Sequence, residues 1–355
     1  MPSSQQSKTS HPPLEAGDLV PVFVLPKADG SSFALNDDAV SGKPTVLVLC
    51  RDPSNPQAAA LLQAFERRKT EIAALGAQLL VLTRQSTVAL LSAAAAQRLS
   101  LPLLADPGGK TFARFGLWPT LGPIVLLLGA NRHLRWLANP AGEDTPDDTL
   151  ERLRAEAARR QPVSLQMHPP VLLLPDVLSR EECRHLIHLY DSENDNWQEP
   201  GHGSKNQTSN YKVRVPEYGR KDRIDHFLAE TGIQQLISFR LQNRLFPEIH
   251  RAFQYRVTRA ETYRIGCYEG ERGGIQHGHR DNTQELVAHR RFACSISLDR
   301  EAFEGGELRF PEFGDQRYQP ETGAAICFSS SLLHEALEVT QGKRYVLMAF
   351  LFGES

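Results

Sequence analysis

The order of segments predicts two domains of different class: an α/β domain over residues 15–160 and an α+β domain over residues 166–355. Three observations carry this. A chain of 355 residues exceeds one core, since domains run to roughly 150–200 residues. In the first 140 residues, continuous apolar runs alternate with stretches of helical periodicity, the pattern of a central, mostly buried sheet. After Pro170 the strand-like segments are short and separated by glycine-bearing turns, with helices gathered at the start.

Residues 1–14 are polar and Ser/Gln-rich and read as a disordered leader without an apolar secretory segment. Pro44–Cys50 is a β-branched and apolar run suited to a buried parallel strand, and helical periodicity follows from Pro56 to Leu75. Ala77–Leu82 is a second buried strand, Ser86–Leu99 a helix, and Pro123–Leu128 a last strand ahead of the turn Gly129-Ala130-Asn131. Residues 138–147 are rich in Pro, Gly and Asp; a charged helix is expected at Asp148–Arg160, and the boundary near 160–166.

Val171–Pro175 reads as a short strand, and Ser179 with Glu182 three residues later forms a capping-box signature for the helix that follows. Ser192–Tyr218 is polar and Gly/Asn-rich, and a loop of that length usually covers a site, so it is expected to act as a lid. Lys221–Phe246 is expected to be an amphipathic support helix, and Thr258–Tyr268 to open a strand-built core.

The chemistry concentrates between Gly273 and Arg344. His279-Arg280-Asp281 sets an imidazole and a carboxylate two positions apart, which in extended backbone points both to one side. His334 returns to them only across a folded sheet. Two histidines and one carboxylate on one face of a metal leave the opposite positions open, the facial triad of non-haem Fe(II) oxygenases. Ten residues past His334, Arg344 offers a planar, permanently charged fork suited to a carboxylate. His277 makes a second His-x-His pair with His279, and His289, Arg280 and Arg309 are nearby polar candidates with surface roles as the simpler reading.

This HxD, His, Arg order resembles the Fe(II)/2-oxoglutarate-dependent dioxygenases, in particular the prolyl 4-hydroxylase-like branch. The resemblance runs from about Pro170 to the C-terminus and includes Gly273-Gly274, Arg290–Leu298, Phe303–Pro311 and His334–Arg344. It implies a double-stranded β-helix (jelly-roll) core, with His279, Asp281 and His334 holding Fe(II) and Arg344 pairing with the distal carboxylate of 2-oxoglutarate. O2 is the implied oxidant and L-ascorbate an implied accessory reductant. Tyr268 is placed like the tyrosine lining the co-substrate pocket, with Tyr263 as competitor, and Thr340 would add a hydroxyl near the same carboxylate. The glycines Gly305-Gly306 would bring a strand close to the metal with Leu308 against the site. The implied reaction is hydroxylation of an amino-acid side chain, free, in a peptide or on a protein, with proline leading.

The N-terminal half resembles the thioredoxin-fold peroxiredoxin (AhpC/TSA) family through Gly17–Pro26, Asp29-Gly30, Lys43–Leu49 and Leu101–Gly116. A peroxiredoxin needs a low-pKa cysteine at the start of the helix after the first central strand. Here that stretch is Arg51-Asp52-Pro53-Ser54-Asn55-Pro56-Gln57-Ala58, without cysteine, and Cys50 falls too early. The half therefore reads as a redox-inactive scaffold for positioning, partner recognition or homodimerisation.

Net charge is −2, which gives no basic field for nucleic acid or anionic membrane, and no run of 18 apolar residues exists. Five scattered cysteines in apolar contexts read as reduced core thiols of a cytoplasmic protein. The competing readings are a thiol peroxidase or redox partner run by the N-terminal half, and a non-catalytic iron or oxygen sensor.

Overall fold

The computed structural model describes residues 12–38, 40–159, 164, 167–193, 196–198, 208–217 and 221–353. The chain divides into two compact units, Met1–Val163 and Ser164–Ser355.

The first unit is a thioredoxin-like α/β fold. Its five-stranded sheet runs in the order Leu103–Ala105, Gln78–Thr83, Thr45–Cys50, Ile124–Leu128, Leu134–Ala138. The first three are parallel and the last two antiparallel to their neighbours. Alternation along the central strand feeds two cores: Val46, Val48 and Cys50 face one side, Leu47 and Leu49 the other. The first side is covered by helices Pro56–Ala74 and Thr145–Arg159 through Leu61, Leu62, Phe65, Leu150 and Leu153. The second receives Phe112 and Phe115 of helix Lys110–Phe115. Pro56 suits the first helical turn, where its missing N–H has no intrahelical partner, and Asn55 caps the backbone N–H of Gln57.

The second unit opens with strand Val171–Leu174 and helix Arg180–Ser192, whose Ser179/Glu182 capping box is complete in both directions. The strand spine runs from Arg317–Tyr318 at one end through Leu308–Arg309, His334–Ala336, Gln276–His279, Lys221–Phe227, Arg264–Glu269, Val339–Phe352, Phe292–Ser297 and Ala325–Ser329 to Val171–Leu174. One cavity is lined by Leu308 and Phe328, each one strand in from an end of this order, and by residues of its middle strands, so the sheet curls round on itself, the jelly-roll arrangement. The long strand Val339–Phe352 shows how. Tyr345, Leu347, Ala349 and Leu351 pack outward against Leu186, Ile237, Leu241 and Ile249 of the helices, while Val346, Met348 and Phe350 turn inward.

Two expectations need correcting. Lys221–Phe246 is not one helix: Lys221–Phe227 is a central strand and only Thr231–Arg244 is helical. Side chains alternate across that strand, Ile224 packing on the helix side and Arg223 and Asp225 facing the interior of the roll. Tyr211–Glu217, expected within a lid, is likewise a strand paired along its length with Lys221–Phe227. Tyr211 stacks on Phe227 at 4.8 Å between ring centroids, which fixes it in the sheet. Of the remaining lid segment, residues 194–195, 199–207 and 218 lie outside the described residues. No helix of the described residues is long and apolar enough to cross a membrane.

Candidate active site

His279 and His334 are direct cross-strand partners on the antiparallel strands Gln276–His279 and His334–Ala336, with ring centroids 4.3 Å apart. The ladder shifts register between Gln276 and His279, so these residues, three apart, both reach the cavity face. Asp281 follows the strand end and is anchored by its backbone: its N–H donates to Ser330 O at 2.9 Å, and its carbonyl accepts from Arg290 Nη1 at 3.2 Å.

The three side chains converge. His279 Nε2 lies 3.3 Å from Asp281 Oδ1, and His334 Nε2 lies 3.5 Å from Asp281 Oδ2. One donor atom from each falls within 4.8 Å of the others, the only such metal-capable cluster among the described residues. Each imidazole is oriented through its other nitrogen: His279 Nδ1 is 3.0 Å from His277 O, and His334 Nδ1 is 3.0 Å from Leu332 O. A carbonyl fixes N–H at Nδ1 and leaves the Nε2 lone pair for a metal, the usual outer-sphere arrangement of ligating histidines.

Protonation follows the same logic. Burial pushes His334 below the ordinary imidazole range, against the attraction of Asp281, and so favours the neutral ligand form. Burial works against the charge on Asp281, but its polar contact with His279 and the neighbouring His334 and Arg290 outweigh it and hold the carboxyl below its usual range. Two imidazoles and one carboxylate with no fourth side chain are the donor set of an open Fe(II) site, and these residues fit that ion.

The cavity beside them measures about 670 Å³. Arg344 lines it, 6% exposed, with its guanidinium 5.0 Å from the Tyr268 ring centroid. Burial lowers the pKa of Arg344 from its ordinary value, opposed by Tyr268, and no carboxylate pairs with it at salt-bridge distance among the described residues. Gly306, in left-handed backbone at φ +68°, leaves the space Arg344 needs, since a Cβ there would sit 2.7 Å from Arg344 Cδ and 2.9 Å from Val339 Cγ2. Leu308 also lines the cavity.

Two candidates fall outside the site. Tyr263 is buried on the helix side of the sheet with its hydroxyl 2.9 Å from Ser238 Oγ, because it stands an odd number of residues from Tyr268 and so faces the other way. Thr340 is exposed. Glu304 pairs with Gln341 and Gly305 with Val339, so Thr340 is the extra residue of a bulge and turns to solvent. His277 stands exposed at the cavity rim, His289 pairs with Glu261 at 3.0 Å, Arg280 with Glu312 at 2.7 Å, and Arg309 with Glu335 and Asp315.

Sequence reasoning missed four cavity residues: Arg223, Arg264, Gln276 and Arg290. The Gln276 amide lies 2.6 Å from His279 Nε2, while its carbonyl accepts from Arg223 Nη1 at 2.7 Å and Tyr268 Oη at 3.3 Å. Arg223 also grips Asp225 through Nε and through Nη2 at 2.8 Å. A usable signal was present: in Tyr263-Arg264-Ile265-Gly266-Cys267-Tyr268 an arginine shares parity with Tyr268 in an apolar strand, so it turns inward with it.

In Cys50 the first unit carries a thiol 1% exposed at the end of its strand, and burial, helped by Asp52, pushes its pKa up to about 12. A thiol so placed is protonated at neutral pH, the reverse of an activated nucleophile.

Comparison with known families matches residues 16–137 to the AhpC/TSA family and residues 263–352 to the 2OG-Fe(II) oxygenase superfamily. Among solved structures, the chain is similar to peroxidoxin BcpB from Mycobacterium tuberculosis, at 22% identity over 40% of this chain and 97% of that one, with a TM-score of 0.37. It is similar to peroxiredoxin Q from Xanthomonas campestris at 18% identity, over 38% of this chain and 91% of that one, with a TM-score of 0.35. A mutant of Xylella fastidiosa PrxQ gives 16% identity over 41% and 98%, with a TM-score of 0.38. No curated protein matches the chain. The chain thus joins an AhpC/TSA-family domain of thioredoxin-like fold to a 2OG-Fe(II) oxygenase domain.

Proposed function

We propose that the protein is an Fe(II)- and 2-oxoglutarate-dependent hydroxylase acting on an unactivated C–H of an amino-acid side chain, with proline-type substrates favoured by the prolyl 4-hydroxylase-like motif order. The observation that carries this is the convergence of His279, Asp281 and His334 within 4.8 Å beside a cavity that Arg344 lines. A binding or sensing role would need the metal ligands alone; the additional buried, unneutralised Arg344 supports turnover of a dicarboxylate co-substrate.

With Fe(II), 2-oxoglutarate and O2 bound, the chemistry supplied would be oxidative decarboxylation of 2-oxoglutarate to succinate and CO2, with one oxygen atom of O2 going into succinate and the other into a substrate C–H bond. The chain's own groups do the rest. His279 and His334 present Nε2, held in register by the carbonyls of His277 and Leu332. Asp281 contributes a carboxylate whose position is set by Ser330 and Arg290. Arg344 would take the distal carboxylate, beside Tyr268, Val346 and Met348, which line the same cavity. Gln276, beside His279, ties Arg223 to Tyr268 through its carbonyl oxygen.

The AhpC/TSA domain serves, in this reading, as a scaffold without peroxidase activity, supported by the absence of cysteine in residues 51–58 and the buried Cys50. The experiment is anaerobic titration of the protein with Fe(II) and 2-oxoglutarate, watching for the metal-to-ligand charge-transfer band in the visible. A band lost in His279→Ala and Arg344→Ala supports the assignment; no band from folded, iron-loaded protein refutes it.

A further inference from the structure

The hydroxylase reading leaves open whether the side chain belongs to a free acid or to a residue within a polypeptide. The inner wall of the cavity bears on that. Tyr268 lies opposite Arg344 on neighbouring strands, and Arg264 lies opposite Met348 further along the same two strands. Four residues of strand separate the two positions by about 13 Å, so the cavity has one arginine at each end of this wall. Arg290 joins the Arg264 end to the metal ligands through its hydrogen bond to the Asp281 carbonyl.

The carboxylates around Arg264 are held chiefly by other groups. Asp225 is held by Arg223 through two nitrogens, and only its Oδ2, at 3.8 Å, approaches Arg264 Nη1. Glu261 is bound by Arg290 through two contacts of 2.6 Å and also takes His289 at 3.0 Å. Arg223 and Arg264 thus share the single carboxylate of Asp225, and the close contacts go to Arg223. Its side chain is 14% exposed, its guanidinium lies 5.2 Å from the Phe227 ring and 4.7 Å from the Phe350 ring, and its Nε is buried without a hydrogen-bond partner. With Nε enclosed, it is the terminal nitrogens of Arg264, held only by the 3.8 Å contact to Asp225, that an acceptor in the cavity would meet. A planar fork held between two rings suits a carboxylate.

We propose that Arg264 receives a free carboxylate of the substrate, so that the substrate is a small carboxylic acid, such as a free or N-acylated amino acid, and not an internal residue of a polypeptide. This rests on the hydroxylase reading above. A single guanidinium matches a monoanion, which favours carboxylate over phosphate. The anion at Arg264 and the co-substrate carboxylate at Arg344 then occupy different ends of one cavity, with the metal ligands beside both.

The test uses the full-length protein loaded with Mn(II) and 2-oxoglutarate, and reads paramagnetic broadening of NMR signals from small probes. N-acetyl-L-proline, N-acetylglycine and propionate are compared with their uncharged amides, and inorganic phosphate is followed in parallel. The acids are expected to broaden at concentrations at least about tenfold lower than the amides, a factor ordinary for one charged contact. That preference is expected to vanish in Arg264→Met and to persist in part in Arg264→Lys, while broadening of 2-oxoglutarate stays unchanged in both. Equal broadening of acids and amides, no broadening by any acid, a preference for phosphate, or an acid preference that survives Arg264→Met would each overturn the proposal. If 2-oxoglutarate itself is not broadened in the native protein, the hydroxylase reading fails and the proposal fails with it.

Discussion

Replacing Arg344 by Gln removes the one cavity arginine of this site that has no carboxylate at salt-bridge distance among the described residues. A guanidinium–carboxylate pair makes two parallel charge-assisted hydrogen bonds, each worth about 1.5–3 kcal/mol. Arg344 is 6% exposed, so solvent and salt screen the pair little. Gln keeps one donor and much of the volume, so about 3 kcal/mol of the pair is lost, which corresponds to about a 100-fold rise in the Kd of 2-oxoglutarate. Arg223, on the other side of Tyr268, does not substitute: it is already engaged by Asp225, Tyr268 and Gln276. The assay is calorimetric titration of 2-oxoglutarate into Mn(II)-loaded protein, with metal affinity measured separately. Metal affinity is expected to stay unchanged, because Arg344 contributes none of the clustered donor atoms. A Kd for 2-oxoglutarate within about threefold of the native value would refute the assignment of Arg344 as anchor.

Ser179→Ala removes one half of a complete capping box and is expected to lower the stability of the second unit by about 1 kcal/mol, read as a shift in its thermal melting. All five cysteines are buried, so a thiol reagent at pH 8 is expected to find none in the native protein and all five after denaturation; rapid labelling of Cys50 before unfolding would contradict its place in the core. His226 is fully buried, and burial followed by the charge of Lys212 lowers its pKa to about 4, against the partly exposed Glu193 2.9 Å from Nε2. Between about pH 6.5 and 4 the unfolded chain therefore binds a proton that the folded chain does not. Stability is present above this window and is lost as pH falls through it. His226→Gln is expected to flatten that part of the pH–stability profile of the second unit, and an unchanged slope would rule His226 out as its source.

How much of this was legible beforehand follows from the range of the forces involved. Buried strands such as Thr45–Cys50 and Gln78–Thr83 announce themselves because every residue must be apolar, and the helix after Ser179 because its cap is a local pairing of Ser179 with Glu182. The triad and Arg344 were legible for another reason: metal and carboxylate chemistry admits few residue types, and their order along the chain survives folding. Lys221–Phe227 was misread because polar residues facing a wet, charged interior break the apolar alternation that marks a strand. Parity told Tyr268 from Tyr263 only once the strand was known to face the cavity. Thr340 needed the bulge, which depends on pairing with Phe303–Gly305 and leaves no trace in its own segment. Arg264 is the clearest case of what tertiary structure alone decides. Its loose pairing exists only because folding brings Arg223 to Asp225 and Arg290 to Glu261, leaving this guanidinium between two rings at the cavity wall.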